Sequence, residues 1–130
     1  MSATDVWAVG YYSVIGGSGL RGLIERWNGK RSSIVPFPTG GASDVVFTGV
    51  ATVPGTNDVW AVGGLDELWN GKNWTNQDTG VGGEILSVTA LSSTDVWGVG
   101  FQASVYLHNP VVDHWNGKTW AAVSSPAVQV

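Results

Sequence analysis

One pair of motifs occurs three times in this chain, and that repetition constrains the fold more than any other feature. Asp5-Val6-Trp7-Ala8-Val9-Gly10 recurs as Asp58-Val59-Trp60-Ala61-Val62-Gly63 and again as Asp95-Val96-Trp97-Gly98-Val99-Gly100. Each copy is followed by a second motif: Glu25-Arg26-Trp27-Asn28-Gly29-Lys30, then Glu67-Leu68-Trp69-Asn70-Gly71-Lys72, then Asp113-His114-Trp115-Asn116-Gly117-Lys118. A third element precedes the last two copies, as Phe47-Thr48-Gly49-Val50-Ala51-Thr52-Val53 and Ile85-Leu86-Ser87-Val88-Thr89-Ala90-Leu91.

The repeated Asp positions lie 53 and 37 residues apart, a mean of 45. That length suits a four-stranded blade of a β-propeller, and it also suits a pair of helices. Local pattern decides between them. Asp-Val-Trp-Ala-Val-Gly alternates with period two, Asn-Gly in mid-module forces a turn, and no stretch carries a sustained 3.6-residue apolar stripe. In the third module the strands are expected over 85–91, over 95–100, up to Trp115, and over 118–124. Asn116-Gly117 fits a type I′ hairpin, in which both central residues have positive φ. The Asp that opens the second strand can accept hydrogen bonds from backbone donors of the preceding turn.

The fold expected is therefore all-β: three four-stranded propeller blades in one domain spanning 1–130, the first blade lacking its inner strand. The blades fall at about 1–38, 45–80 and 84–125, with 126–130 as a candidate strand-exchange tail. Composition agrees. Charged residues make up only 12% of the chain, about half the usual share, while Gly reaches 19 and Trp reaches 8.

Trp7, Trp60 and Trp97 share one repeat position, and Trp27, Trp69 and Trp115 share another. Repetition at a fixed strand position favours packing between neighbouring blades over ligand stacking, since each ring can bury roughly 150–250 Å². Asp5, Asp58 and Asp95 belong with them as structural repeat residues. Trp74 and Trp120 occupy a third position, less obligatory because the first module has Ser32 there; a structural role is expected for them, with exposed binding surface as the alternative.

The phrase Ser92-Ser93-Thr94-Asp95-Val96-Trp97-Gly98-Val99-Gly100, with the later His114-Trp115-Asn116-Gly117-Lys118-Thr119-Trp120, resembles a repeat of bacterial secreted and surface β-propellers, found as tandem arrays in Actinobacteria and related soil bacteria. The likeness covers nearly the whole chain. It implies the propeller fold and a secreted or cell-surface setting. It is similar in style to kelch and Asp-box propellers, whose members include lectins, glycosidases and inert scaffolds. The paired glycines of a kelch repeat are missing and the Asp-box match is partial, so no functional residue carries over.

Three blades do not close a ring, because single-chain propellers usually have four to eight. The expectation is a homodimer that completes six blades, with the C-terminal segment of one chain supplying the inner strand that the other lacks. The alternative is a fragment of a longer array.

The stretches between the second and third strands of each module differ sharply in length. Tyr11, Tyr12 and Arg21 lie in the first, only Gly64, Leu65 and Asp66 fill the second, and Phe101, Gln102, Tyr106 and His108 lie in the third. Function is commonly grafted onto such unequal connections. Tyr11, Tyr12, Arg21, Phe101, Tyr106 and His108 are therefore the candidate ligand-binding residues, for a glycan or a protein surface. The competing reading is that both long stretches simply extend the flanking strands into longer hairpins.

Catalysis has little support. Glu25, Glu67 and Asp113 recur two residues before a Trp, but glycoside hydrolysis needs two carboxyls roughly 5–10 Å apart, and equivalent positions on adjacent blades usually lie farther apart. A structural hydrogen bond or an outward strand position fits them better. No Ser stands in a Gly-x-Ser-x-Gly elbow, and Gly16-Gly17-Ser18-Gly19 lacks the lysine of a phosphate loop. The only histidines, His108 and His114, lack a third ligand, so no metal and no cofactor is expected. With a net charge of −4 and no basic cluster, phosphate neutralisation of nucleic acid is not expected. No apolar run approaches the roughly 20 residues of a membrane helix. The first residues lack a signal core, so either the chain is cytosolic or an export signal was removed or lies outside these 130 residues. The expectation is a non-catalytic module that pairs with itself, or a purely structural assembly unit; a glycosidase-like enzyme is the remote alternative.

Overall fold

The computed structural model describes residues 2–77, 83–103 and 108–126. These form eleven strands and, among the described residues, no helix. The first sheet holds β1 (Val6–Ser13), β2 (Leu20–Trp27) and β3 (Ser32–Ile34) in that order. The second holds β4 (Phe47–Thr52), β5 (Val59–Gly63), β6 (Glu67–Trp69) and β7 (Trp74–Asn76). The third holds β8 (Glu84–Ser92), β9 (Asp95–Ala103), β10 (His108–Trp115) and β11 (Trp120–Ala122). Every pairing is antiparallel.

Each module thus gives one sheet of consecutive strands, and β2, β6 and β10 all end on the Trp before Asn-Gly. The long hairpins are strand extensions. In the first sheet, pairing runs unbroken from Val6↔Trp27 to Ser13↔Leu20, and in the third it runs from Val96↔Trp115 to Ala103↔His108. Residues 104–107, which include Tyr106, and 127–130, most of the expected exchange tail, lie outside the described residues.

The Asn-Gly turns differ from the expected type I′. In a type I′ turn the Asn would have positive φ, yet among the described residues positive φ occurs only at Gly. The hairpin is offset by one residue. Asn28 N–H donates to Arg31 O at 3.2 Å, so Gly29 and Lys30 are the central pair, with Gly29 at φ 93°. Gly first at positive φ is the pattern of a type II′ turn. The Asn contributes its side chain: Asn28 Oδ1 accepts the Lys30 and Arg31 amides at 3.0 and 3.1 Å. Asn70 and Asn116 repeat the arrangement on residues 72–73 and 118–119.

The sheets stack face to face in chain order. One cluster joins Trp7 and Ile24 of the first sheet to Val59, Ala61 and Trp74 of the second. Another joins Trp60 and Val62 of the second sheet to Ile85, Val96, Trp115 and Trp120 of the third. Side chains alternate across a strand. Val59 and Ala61 of β5 therefore face the first sheet while Trp60 and Val62 face the third, and every β5 residue is buried. At one edge of the stack β1 lies against β4, and β4 against β8.

Candidate functional site

The Trp positions define a repeated joint between sheets. Trp7 of β1 meets Trp69 and Trp74 of the second sheet, with ring centroids 5.2 and 5.4 Å away. Trp60 of β5 meets Trp115 and Trp120 of the third sheet at 4.9 and 5.1 Å. In both joints, one Trp from a second-strand position enters a pair of Trp residues that are register partners, Trp69↔Trp74 and Trp115↔Trp120. Trp74 and Trp120 are buried in these joints and do not form an exposed binding surface.

The remaining members of the series lie on the two outer faces. Trp97, equivalent to Trp7 and Trp60, is half-buried on the open face of the third sheet, beside Val99, which is 48% exposed. Trp27, equivalent to Trp69 and Trp115, is 38% exposed on the open face of the first sheet, with Val6 and Ile34 exposed beside it. Ser32 is its register partner, in place of a second Trp.

The repeated Asp acts across the sheet. Asp5 Oδ1 accepts Arg26 Nε–H at 2.8 Å, and the Arg26 guanidinium lies 5.0 Å from the Trp7 ring centroid. Asp95 Oδ1 lies 2.8 Å from His114 Nε2 and accepts Trp97 Nε1–H at 2.9 Å, while the His114 ring sits 4.5 Å from the Trp97 ring. The expected bonding to the preceding turn is supplied by hydroxyls instead, as in Thr94 N–H to Ser92 Oγ at 3.3 Å and Asp58 N–H to Thr56 Oγ1 at 3.0 Å. The residue before the third-strand Trp is thus the partner of the Asp–Trp pair in the first and third sheets, and Leu68 occupies that position in the second.

Two of the three recurrent acids are not outward residues. Glu67 and Asp113 are fully buried. They stand opposite Ala61 and Gly98, on the faces that carry Trp69 and Trp115. Burial pushes the Glu67 carboxyl up to about 7, against a smaller downward effect of its hydrogen bond from Asn76 Nδ2 at 3.3 Å. Burial likewise raises Asp113. Glu25, on the open face, is half-buried and accepts Ser32 Oγ–H at 3.2 Å. A small residue faces each acid, Ala8, Ala61 or Gly98, and only the acids whose face is covered by a neighbouring sheet are enclosed.

Tyr12 and Arg21 are register partners, and both line a cavity of about 220 Å³ at the far end of the β1–β2 hairpin. Tyr11 pairs with Gly22 and points to the opposite face of the sheet. Phe101 pairs with Pro110 at the end of the third-sheet hairpin, and His108 begins β10. The five candidate ligand residues among the described ones are therefore divided between the first and third sheets, with Tyr12 and Arg21 lining one cavity, and Tyr106 lies outside the described residues. Pro36 and Phe37, missed in the sequence, also line this cavity. They belong to the 35–46 connection, which has no counterpart of equal length between β7 and β8. A second, open groove of about 470 Å³ runs beside the unpaired edge of β1, between Asp5–Trp7, Val50–Thr52 and Val88–Ala90.

Comparison with protein-family models, with curated proteins and with solved structures found no match to this chain.

Proposed function

We propose that the chain is a non-catalytic β-propeller segment whose activity is to associate head to tail with a second copy, closing a ring of six blades. The observation that carries this reading is the match between its two outer faces. The open face of the third sheet carries Trp97 where Trp7 and Trp60 stand in the internal joints, and the open face of the first sheet carries Trp27 where Trp69 and Trp115 stand. The chain therefore presents, at opposite ends of its stack, an inserting face like those of its two internal joints and a receiving face in which Ser32 stands in place of the second Trp. A contact of this kind is heterologous. A rotation that brings each end onto the other's complement closes the assembly with no apolar face left over.

Burial of the acids supports the non-catalytic part. Glu67 and Asp113 are enclosed between sheets, so they do not converge on an open cleft as a hydrolytic pair would. Light scattering across a range of concentrations tests the association. The expected mass is twice the chain's 13.6 kDa. A single-chain mass at every concentration would overturn the reading.

A further inference from the structure

The open edge of β1 is shaped for a strand that the first sheet does not itself contain. In the other two sheets the strand equivalent to β1 has a neighbour on that edge: β5 pairs with β4 and β9 with β8, whereas β1 ends its sheet. Both neighbours begin in the same way. Phe47 stands opposite Gly63 and Ile85 opposite Gly100; one residue, Thr48 or Leu86, is then left as a bulge before pairing resumes at Gly49↔Val62 and Ser87↔Val99. The two backbones come so close at this point that no side chain fits. A Cβ on Gly63 would overlap the Val46 carbonyl oxygen, and one on Gly100 would overlap that of Glu84.

Gly10 is the equivalent of Gly63 and Gly100, and among the described residues nothing requires glycine there. Its φ is not positive, and a Cβ would meet no non-adjacent atom within 4 Å. Glycine inside a strand weakens it and marks places where another backbone approaches closely. The edge therefore has, at Gly10, the clearance that β4 and β8 use at Gly63 and Gly100. The space beside it is open as well. The groove of about 470 Å³ lies between residues 5–7, 50–52 and 88–90. Since β4 lies against β8, a strand seated on β1 would lie against β4 in the same way.

The two seated strands specify the occupant. From Phe47 to Thr52 the order is apolar, any residue, Gly, Val, small, small, and from Ile85 to Ala90 it recurs with Ser87 in third place. Gly49 answers to the sheet that covers it: a Cβ there would lie 3.0 Å from both Leu86 O and Val62 Cγ2. Ser87 stands opposite Val99 on the open face of the third sheet, where no sheet covers it. A strand on β1 would be covered by β4, so its third residue must be glycine. Residues 123–130 contain no glycine, so the tail of a second copy does not meet this requirement.

We propose that the β1 edge binds an extended segment of a separate polypeptide, antiparallel to β1, with an apolar residue opposite Gly10, glycine opposite Val9, valine opposite Ala8 and small residues opposite Trp7 and Val6. In strand addition of this kind, main-chain pairing supplies the affinity and the alternate side chains supply the selectivity. The edge belongs to a single chain, and the inference does not rest on association.

Titration of the peptide Phe-Thr-Gly-Val-Ala-Thr-Val, the sequence of residues 47–53, into the full chain tests the proposal, followed by amide NMR shifts and by calorimetry. The peptide is expected to shift the amides of residues 6–10 and 50–52. The same peptide with valine in place of its glycine should bind at least about tenfold more weakly, because the added side chain presses on β4. A peptide of residues 123–130 should not compete. On the chain, Gly10→Ala meets open space in the free protein, so its denaturation midpoint should stay level or rise. Its affinity for the peptide should nevertheless fall by about tenfold or more, as the new methyl meets the incoming carbonyl. Gly63→Ala should lower the midpoint sharply, since β4 already occupies that edge. No binding, shifts confined to other strands, equal binding of the valine peptide, competition by the 123–130 peptide, an affinity indifferent to Gly10→Ala, or an unchanged midpoint for Gly63→Ala would each overturn the assignment.

Discussion

Trp60 of the second sheet meets Trp115 of the third nearly edge-on, with ring centroids 4.9 Å apart and planes inclined at 68°. The electrostatics of aromatic rings favour that geometry. Trp7 and Trp74 repeat an edge-on contact between the first and second sheets at 5.4 Å and 85°. The motif that recurs along the sequence is therefore a joint between units: one Trp to insert and, in two modules, two Trp to receive.

Trp60→Ala should be the most damaging single truncation. Trp60 is enclosed and touches both Trp115 and Trp120. Loss of a buried large aromatic costs roughly 3–5 kcal/mol, and the edge-on contacts add to it. Urea denaturation followed by tryptophan fluorescence checks this. A loss below about 1 kcal/mol would mean that the two sheets do not depend on this contact.

Stability should fall as pH rises through the range set by Glu67. The folded carboxyl titrates at about 7, against an ordinary 4.5. Between those values the folded chain retains a proton that the unfolded chain has released, so the unfolding free energy decreases across that window and is level above it. The shift corresponds to about 3 kcal/mol in all. Raised Asp113 adds a slope of the same sign. Glu67→Gln should remove most of the decline. Denaturation midpoints of the variant and the unaltered chain should be close at pH 4.5 and well separated, variant higher, at pH 8. Parallel profiles would contradict the assignment.

The Asn-Gly turns at Gly71 and Gly117 should respond differently to the same substitution. Gly71 and Gly117 have φ of 95° and 97°, so alanine is strained at both, by roughly 1–2 kcal/mol. At Gly117 the new Cβ would also lie 2.8 Å from Thr94 Cγ2, whereas at Gly71 the nearest atom is Asn57 Cβ at 3.5 Å. Gly117→Ala should therefore destabilise more than Gly71→Ala, measured in parallel denaturation curves. The reverse order would show that the turn conformation alone sets the cost.

Strand positions were legible because period-two alternation and the Asn-Gly turns are local signals. Of each receiving pair, Trp69 and Trp115 were legible from their repetition, while Trp74 and Trp120 were not, because that position holds Ser32 in the first module. The role of Asn28, Asn70 and Asn116 was misplaced by one residue, since Asn-Gly is compatible with two turn registers and side-chain capping selects between them. The burial of Glu67 and Asp113 follows from face-to-face stacking, which no single strand encodes. The cavity lined by Tyr12 and Arg21 depends on the 35–46 connection, whose sequence is outside the repeat and so had nothing to be compared with.

Self-association should require both outer faces, and each chain should need a different one from its partner. Trp27→Asp spoils the receiving face of the first sheet and leaves Trp97 intact; Trp97→Asp spoils the inserting face of the third sheet and leaves Trp27 intact. Both residues lie on open faces, so the stacked core is untouched. Each variant alone has a spoiled partner at every joint it can make with itself. A mixture of the two restores one intact joint, Trp97 of one chain on Trp27 of the other. Sedimentation velocity of the two variants, separately and mixed in equal amounts, is the most direct measurement. The account predicts monomers in the separate samples and a two-chain species in the mixture. Dimers in either separate sample, or only monomers in the mixture, would contradict it.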